Sequence, residues 1–175
     1  INKSKRMRDL TKKEHHLQRS ISRKYEASRK RTGRYEKTKN IMREEAELSR
    51  IRARKANIRH NYIHQITHTL VSLLPARMVM EDLNVQGMMK NRHLSKAIQE
   101  QNFYEFMRQM EYKCAWRGIP FVKVPRFYPS SKTCSACGCI KKDLRLSERI
   151  FVCPECGCTI DRDYNAALNL SRYEI

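Results

Sequence analysis

Four cysteines in two copies of one short motif are the first residues of this chain whose type and spacing point to chemistry. Cys134-Ser-Ala-Cys137-Gly138 and Cys153-Pro-Glu-Cys156-Gly157 are separated by fifteen residues, the CxxC-x15-CxxC arrangement of a tetrahedral zinc site. Each CxxC wraps one side of an ion. Gly138 and Gly157 stand where the chain must turn tightly and aim amides at thiolate sulfur. Four thiolates fill a tetrahedral shell and leave no position for water, so the zinc is expected to be structural rather than catalytic. The chain holds seven cysteines, an odd number that argues against full disulfide pairing. Cys139 and Cys158 are each able in principle to replace a neighbour, but the repeated CxxCG geometry favours the four named, with these two as supporting or simply buried thiols. Cys114 lies on an apolar helix face and reads as a small core residue.

Carboxylates supply a second pattern. Met78-Val79-Met80 is a short apolar run that ends at Glu81-Asp82, as expected of a buried strand emerging into solvent. Directly after the cysteines comes Asp161-Arg-Asp163-Tyr-Asn165-Ala-Ala-Leu-Asn169-Leu, where Asp161 or Asp163 can open a helix with Asn165 and Asn169 on one face. Alone, this segment is a capped terminal helix. Together with Glu81 at a strand end, Asp163 at a helix start offers the hard oxygen ligands on rigid elements that a magnesium site requires. His60, His64 and His68 stand at i, i+4 and i+8, but with no HExxH carboxylate they read as a polar packing stripe.

The elements that must position these groups follow from periodicity. Met7, Leu10, Leu17, Ile21 and Tyr25 recur at helical spacing from Lys3 to about Lys30. After Gly33 a second stripe, Ile41, Leu48, Ile51, Ile58, Tyr62, Ile66, Leu70 and Leu73, runs to Pro75. Residues 1–74 thus read as a long antiparallel helical hairpin. Residues 84–97 read as a loop, Phe103, Phe106, Met107, Met110 and Cys114 as a helix ended by Gly118, and Ile119 to Val124 as a second apolar strand. Such a strand-helix-strand unit implies parallel pairing and a right-handed crossover. Two strands are too few for a stable sheet, so another segment is expected to supply the rest.

Charge narrows the partner. The chain carries 37 Lys+Arg against 18 Asp+Glu, a net charge of +19, and residues 1–60 hold 21 of those cations with 7 of the acids. An imbalance of this size makes nucleic acid the expected partner, bound through salt-sensitive phosphate contacts centred on the hairpin. The cationic stretch from Lys141 to Arg149, at the tip of the zinc-bound hairpin, reads equally as solvated turn residues or as a nucleic-acid contact. With no long apolar run and no secretory signal, the chain is expected to be soluble and cytoplasmic, without a membrane partner.

Met80-Glu81-Asp82-Leu83-Asn84-Val85, Pro129 to Gly138, Phe151 to Gly157 and Asp161 to Asn169 resemble, in content and order, the transposon-encoded OrfB/TnpB proteins and their relatives, the compact type V CRISPR nucleases. The resemblance covers essentially the whole chain. It implies an α/β fold: an incomplete RuvC-like, ribonuclease-H-type core (75–127 and 161–175), a basic helical hairpin (1–74) and an inserted zinc ribbon (128–160). It implies that Glu81 and Asp163 are the second and third catalytic acids, with Mg2+ as catalytic cofactor beside structural zinc. Members of the family use a guide RNA and cut DNA, with no small-molecule substrate. By the same resemblance the first catalytic Asp belongs on a strand ahead of the hairpin; Asp9, within a helix pattern, is a poor substitute. The chain is therefore expected to be the C-terminal portion of such a protein, or a decayed copy, and not to cut DNA by itself. The competing expectation is a non-catalytic zinc-ribbon nucleic-acid-binding protein in which the acids are only helix caps.

Overall fold

In the computed structural model of the chain, residues 4–145 and 147–174 are described. Lys3, where the first helix was expected to begin, and Leu146, within the hairpin tip, lie outside them.

The hairpin is present as α1 (Lys5–Thr32) and α2 (Lys39–Ser72). Ser4 and Thr38 cap them, each side chain accepting from the amide three residues on. Their antiparallel course shows in the pairs that cross it: Lys24 Nζ to Glu44 Oε1 at 2.6 Å, Tyr25 Oη to Glu45 Oε1 at 2.8 Å and Lys55 Nζ to Glu14 Oε2 at 2.8 Å. Met7, Leu10, Ile21, Ile41, Leu48 and Ile51 are buried as the periodicity predicts.

The far half of α2 corrects that reading. Tyr62 and Leu73 are exposed, and Ile63, Thr67 and Val71 are buried instead. At 100° per residue the buried face turns by roughly 100° about the helix axis, because this half packs against a different helix, α5 (Phe103–Trp116). Val71 joins Met110, Cys114 and Ile119 in one apolar cluster, which places Cys114 in the core as expected. Beside it Lys113 Nζ donates to Thr67 Oγ1 (2.7 Å) and to the His64 carbonyl (2.9 Å).

Strand β1 (Met78–Glu81) pairs in parallel with β2 (Phe121–Val124), Glu81 opposite Val124, and α5 crosses between them. Residues 84–97 are not a plain loop. They hold α3 (Val85–Met89) and the start of α4 (Ser95–Gln101), short helices that periodicity cannot register because each spans too few turns to show a stripe. Among the described residues β1 and β2 form a sheet of two strands only. Strand β3 (Ile150–Val152) pairs antiparallel with β4 (Thr159–Asp161), and α6 (Arg162–Ser171) follows without a loop. Helix α6 packs on β1 as well as on β3 and β4, which brings the end of the chain back to the parallel pair. No helix among the described residues is long and apolar enough to cross a membrane.

Candidate metal centre and acidic cleft

The two CxxCG segments fold as near-copies. Cys134 N–H donates to the Cys139 carbonyl (2.8 Å) and Cys153 N–H to that of Cys158 (2.9 Å), while Gly138 and Gly157 donate back to the carbonyls of Cys134 and Cys153. Gly138 and Gly157 have φ of 77° and 69°, the left-handed region closed to most side chains. Sγ of Cys134, Cys137, Cys153 and Cys156 all lie within 4.8 Å of one another, with Cys134 to Cys156 at 3.7 Å and Cys137 to Cys153 at 3.6 Å. A regular tetrahedron with Zn–S bonds of about 2.3 Å has edges of about 3.8 Å, so these sulfurs are spaced to hold a tetrahedral metal ion such as zinc. Cys139 and Cys158 stand outside the cluster and pack into the small core around Phe151.

The amides favour thiolate. The Cys156 N–H holds Cys153 at about 6, against burial and with help from the Glu155 N–H. Burial would push the Cys134 thiol up, but the Cys137 and Ala136 amides outweigh it and its pKa is lowered. The Cys139 amide likewise favours the Cys137 thiolate, yet the neighbouring sulfurs of Cys156, Cys153 and Cys134, with burial, push that thiol up to about 12. Four thiolates so close repel one another, and a divalent cation at their centre removes the conflict.

Asp161 and Asp163 divide their work in a way the sequence leaves open. Asp161 is the cap: its Oδ1 accepts from the Asp163 and Tyr164 amides at 2.9 Å each. Asp163 is thereby left with a side chain 74% exposed, its Oδ1 3.2 Å from the neighbouring Arg162 guanidinium. Glu81, at the end of β1, accepts from Ser130 Oγ at 2.5 Å through Oε1. Glu81 and Asp163 line one open cleft of about 540 Å3, together with Ser130, Lys132, Arg145 and Arg162. Among the described residues each acid commits one oxygen to a hydrogen bond or ion pair and keeps the other, which suits a hard cation that also carries water and phosphate oxygens.

Two asparagines join the cleft to the cysteine centre. Asn165 Oδ1 accepts from Ser135 N–H (2.9 Å) and its Nδ2 donates to the Thr133 carbonyl (2.7 Å). Asn169 Nδ2 donates to the carbonyls of Ser130 (2.7 Å) and Thr133 (2.6 Å). Their shared helix face is legible in the sequence, but their task is not, nor is the contact made by Ser130. Nothing in a Pro-Ser-Ser-Lys run distinguishes a buried serine from a solvated one. Two of the histidines meet α5: His60 Nε2 lies 3.2 Å from Glu105 and His64 Nδ1 3.1 Å from Lys113 Nζ, while among the described residues the His68 ring is near Ser72 of its own helix. Among the described residues they join no cluster able to hold a metal. In the hairpin tip Lys141 is paired with Glu148 at 3.0 Å.

The Cas12f1-like TNB domain matches residues 103–170, the stretch from α5 through the cysteine centre to α6. A putative RNA-guided DNA endonuclease of Streptomyces pristinaespiralis is 38% identical over 123 residues, covering 70% of this chain and 30% of that protein. The putative RNA-guided DNA endonuclease InsQ of Escherichia coli K12 is 35% identical over 169 residues, covering 88% of this chain and 39% of its own length. The chain thus spans well under half of the relatives it matches. In fold it is similar to Cas12f1 as seen in the cryo-EM structure of the Cas12f1-sgRNA-target DNA complex, with a TM-score of 0.53 at 22% identity over 92% of this chain and 42% of that one. Residues 103–170 thus match the Cas12f1-like TNB domain family, and the chain as a whole is similar in sequence to TnpB-like proteins and in fold to Cas12f1.

Proposed function

We propose that this chain is the C-terminal portion of a transposon-associated, RNA-guided DNA endonuclease, and that it binds nucleic acid but does not cut DNA by itself. The observation that carries the reading is the convergence of Glu81 and Asp163, 82 positions apart in the sequence, on one cleft. Structural caps have no reason to share a cleft; ligands of shared divalent cations do. Glu81 and Asp163 would hold Mg2+, which when bound supplies Lewis-acid stabilisation to a phosphodiester under attack by water. Cys134, Cys137, Cys153 and Cys156 would hold a structural zinc. In this reading the domains are a basic hairpin over 1–74, a partial RuvC-like core over 75–127 and 161–175, and a zinc ribbon over 128–160. The hairpin carries most of the cationic excess and offers guide RNA and target DNA their main phosphate contacts.

No third carboxylate among the described residues lines the cleft, and two acids hold paired cations poorly. Mixed with Mg2+, supercoiled plasmid and RNA, the zinc-loaded chain is therefore expected to bind both nucleic acids, with affinity falling steeply as salt rises, and to leave the plasmid intact. Guided nicking that Glu81→Ala abolishes would overturn the second half; binding that ignores salt would overturn the first. Titration with Mn2+ separates this reading from a zinc-ribbon module without an acidic centre. Paramagnetic broadening confined to the amide resonances around Glu81 and Asp163 supports the nuclease reading. Its absence favours the module.

A further inference from the structure

We infer that Ser130 is a positioning residue for Glu81, and that through Asn169 it sets the two acids in register. The inference rests on the cleft being a divalent-cation site, as proposed above. Ser130 is 3% exposed and is held by its main chain on both sides: its N–H donates to the Tyr128 carbonyl (2.8 Å) and its carbonyl accepts from Asn169 Nδ2 (2.7 Å). Its side chain is thus presented from a fixed point, and it meets Oε1 of Glu81 at 2.5 Å, the short O–H···O distance of a hydroxyl donating to a carboxylate.

The contacts divide cleanly. The side chain of Ser130 touches the acid on β1, and its backbone touches the helix that carries Asp163. A glutamate has three rotatable side-chain bonds, and a carboxylate left unpinned at a strand end spreads over several rotamers. The Ser130 hydroxyl selects one and occupies one oxygen from the protein side, leaving Oε2 for a cation. Outer partners of ligating carboxylates commonly act this way, and their removal weakens metal affinity by about 10- to 100-fold.

Because the ties to Asn169 and Tyr128 are main-chain, Ser130→Ala deletes the pin and keeps the anchor. Mn2+ titration of the zinc-loaded chain, read as broadening of the Glu81 and Asp163 amide resonances, is the test. Ser130→Ala is expected to weaken Mn2+ binding about 10-fold with zinc content and melting curve unchanged, and Ser130→Thr, which restores a hydroxyl, to bind as the unsubstituted chain does. Ser130→Ala binding Mn2+ normally while Glu81→Gln abolishes it would overturn the positioning role and leave the cleft intact. Broadening that Glu81→Gln does not affect would overturn the cation site, and this inference with it. A readout free of any variant's folding is the Ser130 hydroxyl proton in the unsubstituted chain, expected to exchange slowly enough to be observed. Rapid exchange there overturns the proposal whatever the alanine variant does.

Discussion

If the cysteine centre holds zinc as proposed, removing the metal should release α6 as well as the ribbon, and the structure sets the size of the effect. The ribbon's own core is three buried residues, Cys134, Phe151 and Cys153, with a few half-buried neighbours. Structural zinc in such modules supplies on the order of 10–16 kcal/mol of folding free energy, far more than so small a core provides. Without the metal the ribbon therefore unfolds, and the backbone partners of Asn165 and Asn169 go with it. Four hydrogen bonds are lost from those two side chains, at about 1 kcal/mol each. Helix α6 has ten residues, too few to be stable undocked. Chelation of the intact chain, followed by hydrogen exchange, should lower protection of the Ala166–Leu170 amides by about 1000-fold, the equivalent of about 4 kcal/mol. Amides around Val71 and Met110, in a separate apolar cluster, should stay protected. Full protection of α6 alongside an unfolded ribbon would refute the coupling.

Two further outcomes follow from individual side chains. Cys156→Ser should release zinc to a chromogenic chelator, while Cys139→Ser and Cys158→Ser should retain it, since they offer the ion no sulfur; metal release on mixing reads out all three. Glu105 is held down to about 2, chiefly by its hydrogen bond with Arg108 and against burial. A carboxylate depressed on folding stabilises the fold above its unfolded value near 4.5, and that contribution is lost as pH falls from there towards about 2. Glu105→Gln should accordingly cost on the order of 1–3 kcal/mol at neutral pH, with the gap from the unsubstituted chain closing in acid. Denaturant melts across pH measure that gap, and one that persists at pH 2 would contradict the assignment.

Much of the centre is legible in the primary structure because it is local. A CxxCG knuckle closes within five residues, so spacing alone names Cys134, Cys137, Cys153 and Cys156, and the left-handed Gly138 and Gly157 bear out the turn chemistry. The strand-helix-strand order of residues 78–124 is equally local, and its parallel pairing follows from chain connectivity. Apart from the short helices within residues 84–97, the reading fails where the deciding partner lies far along the chain. Periodicity placed Tyr62 and Leu73 inside by extending the face that meets α1, but the last turns of α2 meet α5, and no local pattern announces a change of neighbour. The same holds for the asparagines and Ser130. A sequence marks polar residues as caps or surface until the fold buries them against backbone 30 or more positions away. Asp161 takes the cap through its own next residues, but that Glu81 and Asp163 line one cleft is decided only when α6 docks on β1.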